Sequence, residues 1–213
     1  MIKTILWDFD GVILDSMPVR DAGFEQLFHS ENPEAASKLL EYHKQNGGLS
    51  RYHKINYYYT ELLKQQCSEE LIQEKANEYS KFVEPKLINQ ELLIHETVNF
   101  IKSNYQSYSF HIVSGSDEKE LNRICEKLKL SPYFKFILGS PTTKIKNIEN
   151  LIVNEDLKKD ETILIGDSIN DYEAAISNNI HFLGYNNSTL KDLKSPYFSG
   201  DFLKDINQFQ HES

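Results

Sequence analysis

Asp8 and Asp10 stand two residues apart directly after the apolar run Ile5-Leu6-Trp7, and Gly11 follows them. A buried strand ending in two carboxylates crowds negative charge at the mouth of a sheet, where the groups repel one another and lose water. A divalent cation such as Mg2+ is the usual remedy. For an isolated Asp-x-Asp, two solvated turn aspartates remain the plain alternative. Three further apolar runs end in polar groups of the same usefulness. Residues 110–113 lead into Ser114-Gly115-Ser116, which offers a hydroxyl and a backbone N–H, both donors for a phosphate oxygen, although Ser-Gly is also a common turn. Residues 136–138 lead into a loop that ends at Lys144, where a helix should start. A cation is disfavoured at a helix N-terminus, so Lys144 either serves a nearby anion or is simply solvated. Residues 162–165 lead into Gly166-Asp167-Ser168-Ile169-Asn170-Asp171. Asp171 alone fits a first-turn acid favoured by the helix dipole, whereas Asp167 abuts a buried strand as Asp8 does.

These four runs, starting with residues 2–7, have the length and flanking turns of buried parallel strands, and 181–183 is a weaker fifth. Helical periodicity over 91–105, 118–130, 145–154 and 170–178 alternates with them. Alternation of this kind predicts an α/β, doubly wound (Rossmann-like) parallel sheet that binds ligands at the carboxyl ends of its strands. About a hundred residues separate the first two strands, far more than one crossover needs. From 18 to 84 the pattern is helical throughout, with Phe24-Leu27-Phe28 and Ile55-Tyr58-Tyr59-Leu62 at three- and four-residue spacing, and Pro18 and Pro85 flank it as candidate hinges. The expected organisation is therefore a catalytic core of 1–17 and 85–213 with an inserted all-helical cap at 18–84. The run Tyr57-Tyr58-Tyr59 fits the core of that bundle, and the tail after Asn186 fits loops with one short helix near 201–209.

A chain of 213 residues with 39% hydrophobic and 26% charged residues can bury a core of this size. The net charge of −9, with no basic stripe, argues against nucleic acid and against an anionic membrane surface as partners. No stretch reaches the length of a membrane span, and no leader-like segment follows Met1, so a cytoplasmic location is expected. Cys67 and Cys125 lack metal-type spacing and should be reduced thiols without catalytic duty.

Taken in order, Asp8-Phe9-Asp10-Gly11-Val12, Ser114, Lys144 and Gly166-Asp167-Ser168 through Asp171 resemble the four motifs of the haloacid dehalogenase superfamily, in the branch whose helical cap follows the first strand. The likeness extends to about Asn186. It implies a phosphomonoester hydrolase in which Asp8 is the nucleophile and forms an aspartyl-phosphate, while Asp10 acts first as acid and then as base. It further implies that Ser114, Gly115 and Lys144 bind the phosphate. Mg2+ would be held by Asp8, the Asp10 backbone carbonyl and Asp167, with Asp171 coordinating or orienting its waters. Dehalogenases proper do not keep an acid in the position of Asp10, so its presence favours phosphate chemistry.

The chain also resembles the beta-phosphoglucomutases through Asn46-Gly47-Gly48-Leu49-Ser50-Arg51, although Arg20 stands where the mutases place a histidine. A loop at Gly47-Gly48 that dips into the site would bring Arg51, and next Arg20, toward a second anionic group of a small phosphorylated metabolite such as a sugar phosphate or a short organic acid phosphate; an ordinary interhelical turn and surface arginines are the alternatives. Outside enzymes, a phosphoacceptor receiver domain shares the aspartate, hydroxyl and lysine but lacks the large insertion and the late acidic motif. A binding protein that kept only the fold would not need the full set of acids.

Overall fold

A computed structural model describes residues 1–193 and 195–210. Its centre is a five-stranded, wholly parallel sheet in the order β3-β2-β1-β4-β5, formed by β1 (Thr4–Trp7), β2 (Ser109–Asp117), β3 (Phe136–Ser140), β4 (Thr162–Gly166) and β5 (His181–Gly184). The reversal of strand order at β1 opens the crevice in which such sheets bind ligands. Trp7, the last residue of β1, pairs with Ile112 on one side and Ile165 on the other, so the residues that follow these three positions arrive side by side.

Strand residues alternate between two apolar layers, as the two-residue side-chain period of a strand requires. Ile5, Trp7, Phe110, Ile112, Ile163 and Ile165 face one side, where α5 (His95–Asn104), α6 (Glu118–Lys127) and the C-terminal α9 (Phe202–Asn207) pack. Leu6, Val113 and Leu164 face α7 (Lys144–Asn154) and α8 (Ile169–Asn178). Trp7 anchors the first layer, with Phe110 at 5.9 Å and Phe202 at 5.4 Å between ring centroids, both edge-on. The fifth strand and the short terminal helix both form where the sequence suggests them. The expected helix at 91–105 is shorter. A 3₁₀ turn, Gln90–Leu92, precedes α5, because Leu93 and Ile94 leave the helical region and Ile94 donates to the Ile13 carbonyl instead.

Between β1 and β2 the chain is helical: α1 (Met17–Phe28), α2 (Pro33–Gln45), α3 (Arg51–Tyr57) running into one π-helical turn (Tyr58–Leu62), and α4 (Glu69–Leu87). Side chains of Asn32, Ser50 and Ser68 cap the last three helices by accepting from backbone N–H groups inside the first turn. α1 packs on α2 and α4, with Phe24 and Tyr79 of α4 4.6 Å apart between ring centroids, and Phe28 stacks at 3.9 Å on Tyr58 of the π-helical turn. Tyr58 and Tyr59 are buried and Tyr57 stacks on Tyr42, so the tyrosine run is bundle core. Pro85 is not a hinge between elements. It sits inside the last turn of α4, which runs past 84 to Leu87, where the helix loses only one backbone donor. Cys67 and Cys125 are free thiols, and burial pushes the Cys125 pKa up to about 12. Among the described residues no helix is long and apolar enough to cross a membrane.

Candidate active site

Asp8 follows the last residue of β1, and its backbone N–H donates to the Ile165 carbonyl at 2.9 Å, which ties the end of β1 to the end of β4. Its carboxylate is 2% exposed and lies 2.9 Å from the Lys144 ammonium. Lys144 is the first residue of α7, which Thr143 caps, and it also pairs with Asp171. Carboxylate oxygens of Asp8, Asp167 and Asp171 all lie within 4.8 Å of one another. Three acids thus share one ammonium in a buried place. Burial first, and the Asp171 charge next, push the Asp8 carboxyl up to about 7 despite Lys144. Burial and then Asp8 raise Asp167 well above the ordinary range. Lys144 is raised, because its two acids outweigh the cost of its own burial. The surplus of negative charge on hard oxygen donors, with no thiolate or imidazole among them, fits a hard divalent cation.

Asp171 has two tasks already. One oxygen takes Lys144, and the other accepts from the Ser168 backbone at 3.0 Å and the Ser168 hydroxyl at 2.5 Å, closing a capping box on α8. The first-turn role and the site role are therefore one and the same. Gly11, at φ +76°, could carry no side chain, since a Cβ there would fall 2.0 Å from Asp167 Oδ2. The loop after β5 braces both acidic turns, with Asn186 donating to the Gly11 carbonyl and Asn187 to the Asp167 carbonyl.

The Asp10 carboxylate is outside the three-acid cluster. One oxygen accepts from Ser16 Oγ at 2.5 Å and Arg20 Nε at 3.1 Å, the other from Ser116 Oγ at 2.5 Å. Burial works to raise this carboxyl, but Arg20 and the two hydroxyls outweigh it and hold it below the usual carboxylate range. Ser114 is buried inside β2, which runs on with a register shift to Asp117 instead of ending at 113 as the apolar run suggests, and its Oγ accepts from the Ser116 backbone N–H. The Gly47-Gly48 loop rests on Gly115, where a Cβ would stand 2.2 Å from the Gly48 carbonyl oxygen. Asp8, Asp10, Ser114, Gly115, Asp167, Gly47 and Gly48 line one small cavity. Arg20 and Arg51 are buried rather than on the surface, and each is engaged by the same acid. Glu120 of α6 accepts from Arg20 at 2.7 Å and from Arg51 at 2.5 and 2.8 Å.

Glu120, Ser16, Ser116, Lys54 and His43 escape sequence reasoning. Glu120 reads there as an ordinary first-turn acid of α6, and Lys54 and His43 as polar residues of a solvated helix face. Ser16 and Ser116 flank recognised motifs, which is the one signal that could have drawn attention to them.

Residues 5–185 match the family model described as haloacid dehalogenase-like hydrolase. No curated protein matches the chain. Solved structures do. A beta-phosphoglucomutase from Clostridium difficile superposes with a TM-score of 0.75 at 19% identity, covering 99% of both chains. A "predicted phosphatase" from Clostridium acetobutylicum gives 0.74 at 19% identity over 99% of both chains. A haloacid dehalogenase-like family hydrolase from Streptococcus pneumoniae gives 0.71 at 20% identity, covering 98% of this chain and 99% of that one. Identities this low speak to fold, and the match over most of the sequence settles kinship: the chain belongs to the haloacid dehalogenase-like hydrolases.

Proposed function

We propose that this hydrolase is a Mg2+-dependent phosphomonoester hydrolase acting on a small phosphorylated metabolite, with residues 1–17 and 85–213 as catalytic core and 18–84 as cap. The observation that carries the reading is the buried Asp8 carboxylate, paired with Lys144 at 2.9 Å and crowded by Asp167 and Asp171. An anionic oxygen placed among other anions is costly for stability and useful as a nucleophile. Asp8 attacks phosphorus and the ester P–O bond breaks, leaving an aspartyl-phosphate, while Asp10, in the fraction of enzyme that carries its proton against the pull of Arg20, gives that proton to the departing alkoxide. Asp10 then takes a proton from the water that attacks the acyl phosphate, so inorganic phosphate leaves and both acids return to their starting states. The Ser114 hydroxyl, the Gly115 N–H and the Lys144 ammonium bind the phosphoryl oxygens, where charge must be stabilised.

Asp8, Asp167 and the Asp10 carbonyl would hold Mg2+, which when bound neutralises charge so that an anionic nucleophile can approach an anionic phosphate. Asp171 serves chiefly to hold Lys144, since both its oxygens are occupied. The Gly47-Gly48 loop excludes bulk water while it rests on Gly115. A screen for inorganic phosphate release from a metabolite panel, with Mg2+ and with EDTA, tests the reading. Turnover that needs Mg2+ and disappears in Asp8→Asn supports it, and silence across the panel overturns it. The beta-phosphoglucomutase neighbour keeps a sugar phosphomutase as second reading. Isomerisation of a hexose 1-phosphate without phosphate release would favour that reading.

A further inference from the structure

Beyond Asp10, a narrow cavity of about 30 Å³ runs under the helical insertion, and Asp10, Arg20, Lys54, Arg51, Gly47 and Ser116 contribute to its wall. Three cations of the insertion meet there, and their states differ. Arg20 is saturated by Asp10, Glu120 and Ser116. Arg51 spends its fork on Glu120 and also reaches Ser80, and its guanidinium lies 4.8 Å over the Tyr79 ring. Lys54 is 2% exposed, yet among the described residues no carboxylate comes within ion-pairing distance of it. Its ammonium donates to His43 Nδ1 at 2.8 Å and to the Gly47 carbonyl at 3.2 Å, leaving one N–H without a partner. His43 can accept there because its Nε2 faces Asp21 at 3.4 Å, and burial pushes the ring's pKa down to about 2, so it stays neutral.

A buried cation without a counter-charge is expensive, and burial pushes Lys54 down to about 7. Asp10 and Glu120 answer the two arginines, and Asp21 acts on Lys54 only from beyond His43, so no acid in the cavity wall pairs directly with the Lys54 ammonium. A hydrophobic residue would fill the same volume at lower cost, so the lysine stays where its partner arrives from outside.

We propose that Lys54 is the specificity-determining residue of this site, and that the substrate is a phosphomonoester carrying a carboxylate which pairs with the Lys54 ammonium while its phosphate lies at Asp8. This deepens the phosphatase reading and rests on it. One ammonium with one free N–H, and the narrowness of the cavity, favour a flat, singly charged carboxylate over a second phosphate. Arg20 and Arg51 shape the cavity with their charges already balanced by Glu120 and Asp10.

The test pairs 3-phosphoglycerate with glycerol 3-phosphate, which differ by a carboxylate against a hydroxymethyl group. With wild-type protein and Mg2+, kcat/KM should favour the acid by about tenfold or more, the worth of one charge-assisted hydrogen bond. Lys54→Met should cost the acid about tenfold more than the neutral ester, mainly through KM, and Lys54→Arg should recover much of the preference. Equal losses on both esters, or a wild-type enzyme indifferent to the carboxylate, would overturn the assignment while leaving the phosphatase reading intact. If no ester is turned over, the phosphatase reading fails separately. Calorimetric binding of the same two compounds to Asp8→Asn protein then decides the role of Lys54 by the same preference, present or absent, and by its loss in Asp8→Asn/Lys54→Met. Thermal melts confirm that each variant is folded.

Discussion

Arg51 of the helical insertion clasps Glu120 of the core through two hydrogen bonds, 2.5 and 2.8 Å long, with both side chains buried. Arg20 of the insertion meets the same carboxylate from another side at 2.7 Å. Burial opposes the charge on Glu120, but the two guanidiniums outweigh it and hold its pKa down to about 2. One acid on α6 therefore latches two helices of the insertion over the strand ends, and Arg20 passes the connection on to Asp10.

Glu120→Gln keeps the shape and removes the charge, so Arg20 keeps only Asp10 and Arg51 is left without a carboxylate partner. Removing one partner of a buried ion pair costs about 3–5 kcal/mol, most of it from the stranded charge. Urea unfolding of the Mg2+-free protein should show a loss of that order, and Glu120→Gln combined with Arg51→Met should lose less than the two single losses added. A loss below about 1 kcal/mol would mean that the latch is solvated and the insertion stands open in solution.

The strand ends were legible in the sequence because a strand has a two-residue period and an abrupt end. Asp8, Ser114 and Asp167 stand at the end of a short apolar run and Lys144 one loop beyond another, and those runs lie in β1 to β4, although β2 continues through Ser114 to Asp117. What stayed hidden depends on burial inside helices. Glu120 and Lys54 occupy positions where a solvated charge would look the same in sequence; Arg20 and Arg51 close over Glu120, and Lys54 is held inside the insertion against His43 and the Gly47 carbonyl. The reach of α4 to Leu87 was hidden for the opposite reason, since a proline in a last helical turn is tolerated although it reads as a boundary.

Asp8→Asn should stabilise the Mg2+-free protein while abolishing turnover. The carboxyl is pushed up to about 7, first by burial and then by Asp171. Its folded-state pKa lies above its unfolded value of 3.8, so its stability contribution is fully present below that value and is lost as pH rises to about 7. At pH 8 the ionised acid is a net cost, which the amide removes. A melting temperature for Asp8→Asn that is higher than wild type at pH 8, with the difference shrinking toward pH 4, is the expected result. An unchanged or lower value at pH 8 contradicts it.

Mg2+ should stabilise the protein more at pH 8 than at pH 5.5. Asp8 and Asp167 both hold protons more tightly in the folded protein than in the unfolded chain, and a cation must displace them. Below pH about 6 that displacement weakens binding, and ligand-linked stabilisation falls with it. Melting curves at fixed Mg2+ over this range read the effect directly. A shift independent of pH would place the ion away from these two acids.

Arg20→Met should move the alkaline limb of the pH profile of kcat/KM upward. Asp10 must carry a proton to act as the acid in the first step, and its carboxyl is held low because the Arg20 charge, with help from Ser116 and Ser16, outweighs burial. Without the guanidinium, burial is left opposed by the two hydroxyls, so a larger share of the free enzyme holds the proton at a given pH and the limb rises. Arg20→Lys, which keeps a charge but loses the fork shared between Asp10 and Glu120, should fall between wild type and Arg20→Met. Because Arg20→Met also loosens Glu120, maximal activity should drop as well. The position of the limb, and not its height, is the measurement that separates control of Asp10 from a purely structural role.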